Sequence, residues 1–294
     1  MKRIGFHLSI ASGFSHLIEE AVSLSCNTLQ IFSRSPRSWI KRNFNDKELE
    51  VFKRKLKEYD IRPLIIHLPY LPNPATPKKS LRKKTIKVIK EELETCKILG
   101  AEFLVVHTGK YLEGTREEGI KRVQDMINEV LLDFREEVKI LFENTAGAGT
   151  EIGCNFYELK EIFDGIEKKE KVGFCLDTAH LFQSGYDLRT KDKINKVLDE
   201  FDRLLGIDKL YLVHYNDSKT ELSSRVDRHY HIGRGKIGKT GMKEIILNPR
   251  LFHIPFIMET PKDTKYADRR NMKIVKKFLN STFSAFPEKR KNER

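Results

Sequence analysis

The chain has 294 residues, of which 33% are charged and 39% hydrophobic, and its formal net charge is +13 at pH 7. This length accommodates one large domain or two small ones, and no apolar run reaches the length of a membrane span. The cysteines show no CxxC spacing, which excludes a disulfide framework and a thiolate zinc knuckle and indicates free thiols in a reducing compartment; they are Cys26, Cys96, Cys154 and Cys175.

Short apolar runs alternate with charged amphipathic segments along the whole chain. The apolar runs predict eight strands, at 3–9, 28–33, 62–67, 103–107, 139–143, 172–177, 210–214 and 255–259. The segments between them predict helices at 14–25, 46–59, 81–99, 116–135, 155–166, 192–205, 240–247 and 266–281. Of the connections, the loop at 68–80 is rich in proline and the loop at 215–240 is long, polar and basic. The N-terminus enters the first strand directly, so we expect no signal peptide and a cytoplasmic location.

The regular alternation has no linker-like break, which predicts one α/β domain. Eight strand–helix units in about this length are typical of a single (β/α)8 TIM barrel, here over residues 1–281. Residues 282–294 form a basic C-terminal tail. A doubly wound open sheet is the alternative. A barrel enzyme carries its chemistry at the C-terminal ends of its strands.

Metal-ligand side chains stand where six of the predicted strands end. They are His67, His107, Glu143, Asp177, His214 and Glu259, and to them we add His180, one turn past Asp177, and the loop residues Asp227 and His229. Imidazoles and carboxylates without thiolates suit zinc, manganese or iron, and nine ligands are too many for one ion. The pattern therefore predicts a cluster of two or three ions, an arrangement suited to hydrolysis of phosphate esters.

Each of these histidines taken alone would be read as a hydrogen-bonded structural residue. The joint pattern reverses that interpretation, because burying so many unpaired polar groups in a barrel mouth would be costly. His7, which ends the first strand, is expected to contact a metal-ligating residue and not the metal itself. His231 is an alternative to His229 as a ligand. His16 and His253 lie outside the pattern and receive no role.

The sequence resembles the endonuclease IV family, the metal-dependent abasic-site endonucleases of base excision repair, over about residues 2–281. The resemblance rests on six ordered motifs, which are Gly5-Phe6-His7-Leu8-Ser9, Glu143-Asn144-Thr145-Ala146-Gly147, Leu176-Asp177-Thr178-Ala179-His180, His214-Tyr215-Asn216-Asp217-Ser218-Lys219, Ser224-Arg225-Val226-Asp227-Arg228-His229 and Met258-Glu259-Thr260-Pro261. Any one of these motifs would be a weak signal, whereas six in order along one barrel are specific.

The resemblance implies a deoxyribonuclease IV activity, hydrolysis of the phosphodiester 5′ to an abasic site in duplex DNA. The products would be a 3′-hydroxyl and a 5′-deoxyribose phosphate, with a 3′-phosphodiesterase side activity and no organic cofactor. It implies three zinc ions per chain, with manganese or iron possible at one position. A monomer is the simple expectation for an enzyme that searches DNA for lesions. The residues would be His67 and His107 for one ion, Asp177, His214 and Glu259 for the second, and His180, Asp227 and His229 for the third, with Glu143 bridging the first two and Glu143 and Glu259 catalytic.

The resemblance also implies contacts to DNA. Arg37, Tyr70 and Leu71 match positions that enter the helix at the lesion, and Arg225 and Arg228 flank the loop ligands, where they could grip phosphates. A side chain inserted into the duplex as a wedge costs less unstacking energy at a gap in the base stack than at an intact base pair. The alternative for Tyr70 is that it only covers the barrel rim.

Two other functions compete with a DNA repair endonuclease. A sugar isomerase or epimerase on the same barrel type also uses histidines and carboxylates at strand ends, but it needs one or two metal ions and leaves Asp227, His229 and the basic charge unexplained. A non-catalytic DNA-binding scaffold would not need nine metal ligands. The number of bound ions therefore discriminates the endonuclease from the isomerase.

Overall fold

A computed structural model describes residues 2–281, and eight parallel strands close into a barrel. The barrel strands are β1 (Ile4–Leu8), β2 (Leu29–Ile31), β3 (Leu64–His67), β4 (Phe103–His107), β5 (Lys139–Glu143), β6 (Val172–Asp177), β7 (Leu210–His214) and β10 (Phe256–Met258). Pairing of β1 with both β2 and β10 closes the sheet, so the open-sheet alternative is wrong and the predicted TIM barrel is confirmed.

Helices surround the barrel and connect successive strands. They are α1 (Gly13–Ser23), α2 (Asp46–Glu58), α3 (Lys79–Leu99), α4 (Arg116–Leu131), α5 (Phe156–Asp164), α6 (Thr178–Ser184), α7 (Lys191–Leu205), α8 (Gly238–Leu247) and α9 (Ala267–Asn280). Local sequence determines several starts: Thr115 and Glu118 form a reciprocal capping box at α4, and Asn155 caps α5. Among residues 2–281, no helix combines the length and the apolar character needed to cross a membrane.

All eight predicted strands and all eight predicted helices are present. Two further elements were not predicted: α6, which begins directly at the end of β6, and the hairpin of β8 (Asp217–Ser218) and β9 (His229–Tyr230) within the long loop. These elements are too short to show a hydrophobic period that a sequence pattern could reveal. The predicted basic tail at 282–294 lies outside the described residues.

The barrel interior is a sealed apolar layer. Six fully buried side chains, one from each of six strands, pack together there: Ile65, Val105, Leu141, Cys175, Leu212 and Ile257. Between the remaining two strands the backbones lie close together, and at Gly5 an added Cβ would stand 1.9 Å from the carbonyl oxygen of Thr28. The close approach of β1 to the start of β2 therefore requires glycine at this position.

Candidate functional site

The polar side chains at the strand ends form a second layer above the apolar one. Each lies two residues after the inward-facing residue of the apolar layer, and since strand side chains alternate, it faces inward as well. His67, Glu143, Asp177 and His214 are at most 2% exposed. Three groups of their ligand atoms lie close enough together to hold a metal ion: His67, His107 and Glu143; Asp177, His180 and His229; and Glu143, Asp177, His214 and Glu259.

Glu143 is the centre of this layer. Its Oε2 atom lies 3.0 Å from His107 Nε2 and 3.3 Å from His67 Nε2. Its Oε1 atom lies 2.9 Å from His214 Nδ1 and 3.4 Å from His180 Nδ1. The two oxygens of one carboxylate thus face two different sets of nitrogen atoms, an arrangement that allows one residue to serve two ion positions.

The turn from β6 into α6 positions Asp177 and His180. Asp177 is the N-cap of α6, and its Oδ1 accepts from the backbone N–H of His180 at 2.8 Å. Aspartate is favoured at this position because its carboxylate satisfies free N–H groups of the first helical turn. The same cap that starts the helix therefore brings the His180 ring beside the Asp177 carboxylate.

The long loop adds Asp227 and His229 to this group. Asp227 Oδ1 lies 3.3 Å from His180 Nε2 and 3.5 Å from His229 Nε2, and His229 Nε2 lies 3.4 Å from Asp177 Oδ2. The short hairpin fixes His229 through the pairing of β8 with β9. Asp227 is half exposed, so its position is at the solvent edge of the cluster.

The hydrogen bonds of the histidines indicate that the cluster is built to receive cations. Backbone carbonyls, which can only accept, face the Nδ1 atoms of His67 at 2.7 Å, His180 at 2.9 Å and His229 at 3.3 Å. In the neutral form of each ring, the Nε2 atom therefore carries the lone pair. Two such atoms, on His180 and His229, lie 3.3 Å apart, which is repulsive unless a cation or a proton stands between them. The residues present fit metal ions, and their other ring nitrogens are anchored as in metal sites.

Charges in the cluster depend strongly on one another. Burial by itself raises the pKa of Glu143, but His107 and His214 more than offset it, so this pKa lies well below the usual value. Burial by itself lowers the pKa of His180, but the surrounding carboxylates, Asp177 foremost, raise it well above the usual value. Positive charge among these carboxylates is thus strongly favoured, and divalent cations would supply it in place of the histidine protons.

Buried amide side chains that the sequence analysis did not select hold the ligand residues. Asn216 donates to Asp177 Oδ2 at 2.7 Å and accepts from the backbone N–H of Glu259 at 2.8 Å. Asn144 exchanges hydrogen bonds with the backbone of Asp177, and Gln30 contacts His214 and Glu259. The signal for Gln30 is its position on β2, at the level of the strand-end ligands, although glutamine is not a usual metal ligand.

The remaining candidate residues lie around the mouth of the barrel. Tyr70 is 67% exposed and separates two cavities, one of about 670 Å³ lined by His229 and Glu259 and one of about 440 Å³ lined by His107 and Leu71. The Tyr70 ring packs edge-on against Phe32, with centroids 5.3 Å apart. The other predicted DNA contacts also lie on loops. Arg37, Arg225 and Arg228 are exposed, and Leu71 is half-buried.

The chain is similar to known proteins over most of its length. A family model described as a xylose isomerase-like TIM barrel matches residues 18–281. "Probable endonuclease 4" of Halothermothrix orenii is 40% identical over 260 residues, covering 88% of this chain and 94% of the relative, and that of Nitrosopumilus maritimus is 40% identical over 278 residues, covering 94% and 99%. The crystal structure of endonuclease IV from Thermus thermophilus superposes with a TM-score of 0.84 at 36% identity and covers 95% of this chain and 99% of that one.

The chain belongs to the endonuclease IV family. The family predicted from the six motifs is therefore confirmed, and the described barrel is that of an endonuclease IV-type enzyme.

The structure defines the surroundings of two histidines whose roles the sequence left open. His7 Nδ1 lies 2.8 Å from Glu259 Oε1, whereas His231 contacts Asp263 and Asn271.

Proposed function

We propose that the chain hydrolyses the phosphodiester 5′ to abasic sites in duplex DNA. Water would add to phosphorus and the P–O3′ bond would break, leaving a 3′-hydroxyl on one side and a 5′-deoxyribose phosphate on the other. The observation that carries this proposal is the Glu143 carboxylate, whose two oxygens face separate sets of ligand atoms in a chain of the endonuclease IV family. Such a bridge suits closely spaced ions acting on a phosphate.

We propose that three zinc ions occupy the site, with manganese or iron possible at one position. His67, His107 and Glu143 would hold one ion, and Glu143, Asp177, His214 and Glu259 would hold the second. His180, Asp227 and His229 would hold the third, supported by the distances of 3.3 and 3.5 Å from Asp227 Oδ1 to the two imidazoles. When bound, divalent ions lower the pKa of water and neutralise the charge on the attacking and leaving oxygens.

The rim residues would recognise the lesion. Tyr70, Leu71 and Arg37 would enter the duplex at the abasic gap, and the exposed position of Tyr70 between the two cavities supports this role. Arg225 and Arg228 would hold phosphates beside the loop ligands. The backbone of Arg225 has a φ of 53°, an uncommon conformation for a residue other than glycine, and its N–H donates to the Gln183 carbonyl at 3.0 Å.

The decisive experiment is incision of an end-labelled duplex carrying one abasic site, with metal content measured on the same sample. We expect cleavage on the 5′ side, loss of cleavage after prolonged chelation, and about three ions per chain. A matched duplex without the abasic site is the control. No cleavage with one bound ion would contradict the proposal and direct the work to sugar isomerase and epimerase substrates.

Further properties follow from the same proposal. A 3′-blocked primer end would present a phosphoester to the same cluster, so we infer a 3′-phosphodiesterase side activity that chelation abolishes together with incision. We also infer that the enzyme acts as a monomer in the cytoplasm, where its free thiols would stay reduced. Light scattering at the chain mass of 34.3 kDa would support the monomer, and twice that mass would contradict it.

A further inference from the structure

Gln30 is a fully buried polar residue in the middle of β2, at the level of the strand-end ligands. It is paired in register with His7 on the adjacent strand. Its Nε2 lies 2.8 Å from Glu259 Oε1 and 3.0 Å from His7 Nδ1, and its Oε1 lies 2.8 Å from His214 Nε2. One amide therefore touches two of the residues proposed to hold a metal ion.

The chemistry of these contacts determines the orientation of the amide. An ionised carboxylate only accepts hydrogen bonds, so the group of Gln30 that faces Glu259 must be the NH₂. The oxygen then faces His214 Nε2, which must carry a proton in order to donate. In a neutral ring this leaves a lone pair on His214 Nδ1, which lies 2.9 Å from Glu143 Oε1 and 3.3 Å from Glu259 Oε2.

His214 differs in this respect from three other histidines of the cluster. For His67, His180 and His229 a backbone carbonyl faces Nδ1 and leaves Nε2 towards the cluster. For His214 the side chain of Gln30 faces Nε2 and leaves Nδ1 towards the cluster. The tautomer of His214 is thus the reverse of the others, and it depends on a side chain that substitution can remove.

We propose that Gln30 is a positioning residue that fixes the tautomer of His214 and the orientation of Glu259, and thereby sets the affinity of one ion position. That position is the one formed by Glu143, Asp177, His214 and Glu259. The inference rests on the metal centre of the proposed function. Groups that orient metal ligands from outside typically contribute a 10–100-fold factor in metal affinity.

Gln30→Met tests the proposal because it keeps the length and bulk of the side chain while removing both its donor and its acceptor. Zinc titration against a chromophoric chelator should show one of three ions weakened by about 10–100-fold, with the other two bound as in the wild type. Gln124→Met is the matched control, since Gln124 on α4 donates to the carbonyl of Glu161 outside the barrel. We expect the control to bind all ions with wild-type affinity.

A second readout reports the tautomer itself. Nitrogen NMR of histidine-labelled, zinc-loaded wild-type protein should show a ligand histidine protonated on Nε2, among others protonated on Nδ1. Gln30→Met should lose that Nε2-protonated signal. If Gln30→Met fails to fold by circular dichroism, Gln30→Glu keeps an acceptor for His214 and removes the donor to Glu259, and the signal should survive.

The outcomes separate this inference from the proposed function. Wild-type protein that binds no zinc would overturn the metal centre itself. Wild-type protein that binds zinc, together with a Gln30→Met variant of unchanged zinc affinity and histidine signals, would overturn only the role of Gln30. Loss of the signal in a folded Gln30→Glu variant would contradict the assignment of its oxygen as the acceptor for His214.

Discussion

Two successive layers inside the barrel have the same geometry and opposite chemistry. In six strands an apolar inward residue is followed two positions later by a metal-ligand residue: Ile65 and His67, Val105 and His107, Leu141 and Glu143, Cys175 and Asp177, Leu212 and His214, and Ile257 and Glu259. The lower layer packs mainly through hydrocarbon side chains and stabilises the barrel, whereas the upper layer concentrates charge that apolar packing could never stabilise. The comparison teaches that the residues that stabilise the barrel and the residues of the candidate site lie at different levels of the same strands. Substitutions can therefore perturb the two separately.

Glu143→Gln should produce the largest effect, because it breaks the upper layer at its centre. Neutralising the bridging carboxylate removes transition-state stabilisation of several kcal/mol, so incision should fall by on the order of 10³-fold or more. Binding to abasic duplex should remain largely intact. The measurements are single-turnover incision and a binding titration, with circular dichroism to establish that the variant is folded.

Glu102→Gln is the matched control for that prediction. Glu102 immediately precedes β4 and is exposed at the opposite end of the barrel, so its amide variant should cleave as the wild type does. Equal loss in both variants would indicate a general effect of charge. Full activity of Glu143→Gln would contradict the central role assigned to the carboxylate.

Leu141→Ala breaks the lower layer two residues below Glu143. Truncating a fully buried leucine removes transfer free energy and leaves a cavity, so the free energy of unfolding should fall by about 2–5 kcal/mol. Urea denaturation of metal-free protein measures this fall. Leu132→Ala, at a leucine that is 63% exposed, should change stability by less than about 0.5 kcal/mol. Equal, small effects in the two variants would show that the interior layer does not determine stability.

The rim above both layers should affect recognition more than chemistry or stability. Tyr70→Ala should weaken binding to abasic duplex by about 10-fold, since stacking an aromatic ring on a base contributes about 1–3 kcal/mol, and should weaken binding to intact duplex much less. Arg37→Ala should act in the same direction. Tyr157→Ala is the control, because Tyr157 is 59% exposed on the outer helix α5. Equal weakening on both duplexes would contradict the wedge and favour a rim-covering role for Tyr70.

The hydrophobic pattern of the sequence, and the polar residues that end each apolar run, made most of this fold predictable. Each barrel strand is an apolar run, and a change from apolar to charged residues, as from Phe142 to Glu143, marks its C-terminal end. Because parallel strands align their C-terminal ends, the strand-end residues of the upper layer could be placed together before any geometry was known. The hairpin of β8 and β9 could not be predicted, since its two-residue strands carry no period.

The amide side chains were harder to predict than the ligands. Gln30, Asn144 and Asn216 act through hydrogen bonds whose partners lie far away in sequence, for example 184 residues between Gln30 and His214. Residue type alone does not mark such a side chain, because a buried amide is defined by the groups around it. Gln30 would have been found by examining every inward-facing polar residue near the C-terminal end of all eight strands, whatever its type.

Lys2 provides the sharpest contrast with the upper layer. Its ammonium group is buried at the opposite end of the barrel, donates to the carbonyl of Leu251 at 2.8 Å and lies 4.2 Å from the centre of the Phe256 ring. Burial lowers the pKa of Lys2 to about 7 from a usual value of 10.5. Unlike the charges of the upper layer, it has no carboxylate that offsets the effect of burial on its pKa.

The sign of the resulting pH dependence is opposite to that of a paired lysine. Below pH 7 both folded and unfolded states carry the Lys2 proton, and the full cost of burial is present; between about pH 7 and 10.5 only the unfolded state carries it, so stability rises with pH. The rise is at most about 1.4 kcal/mol per pH unit. Lys2→Met should flatten it, measured as the difference between wild type and variant in urea denaturation of metal-free protein at pH 7, 8.5 and 10. A difference that stays constant across this range would show that Lys2 keeps its proton in the folded state, held by the Leu251 carbonyl and the Phe256 ring.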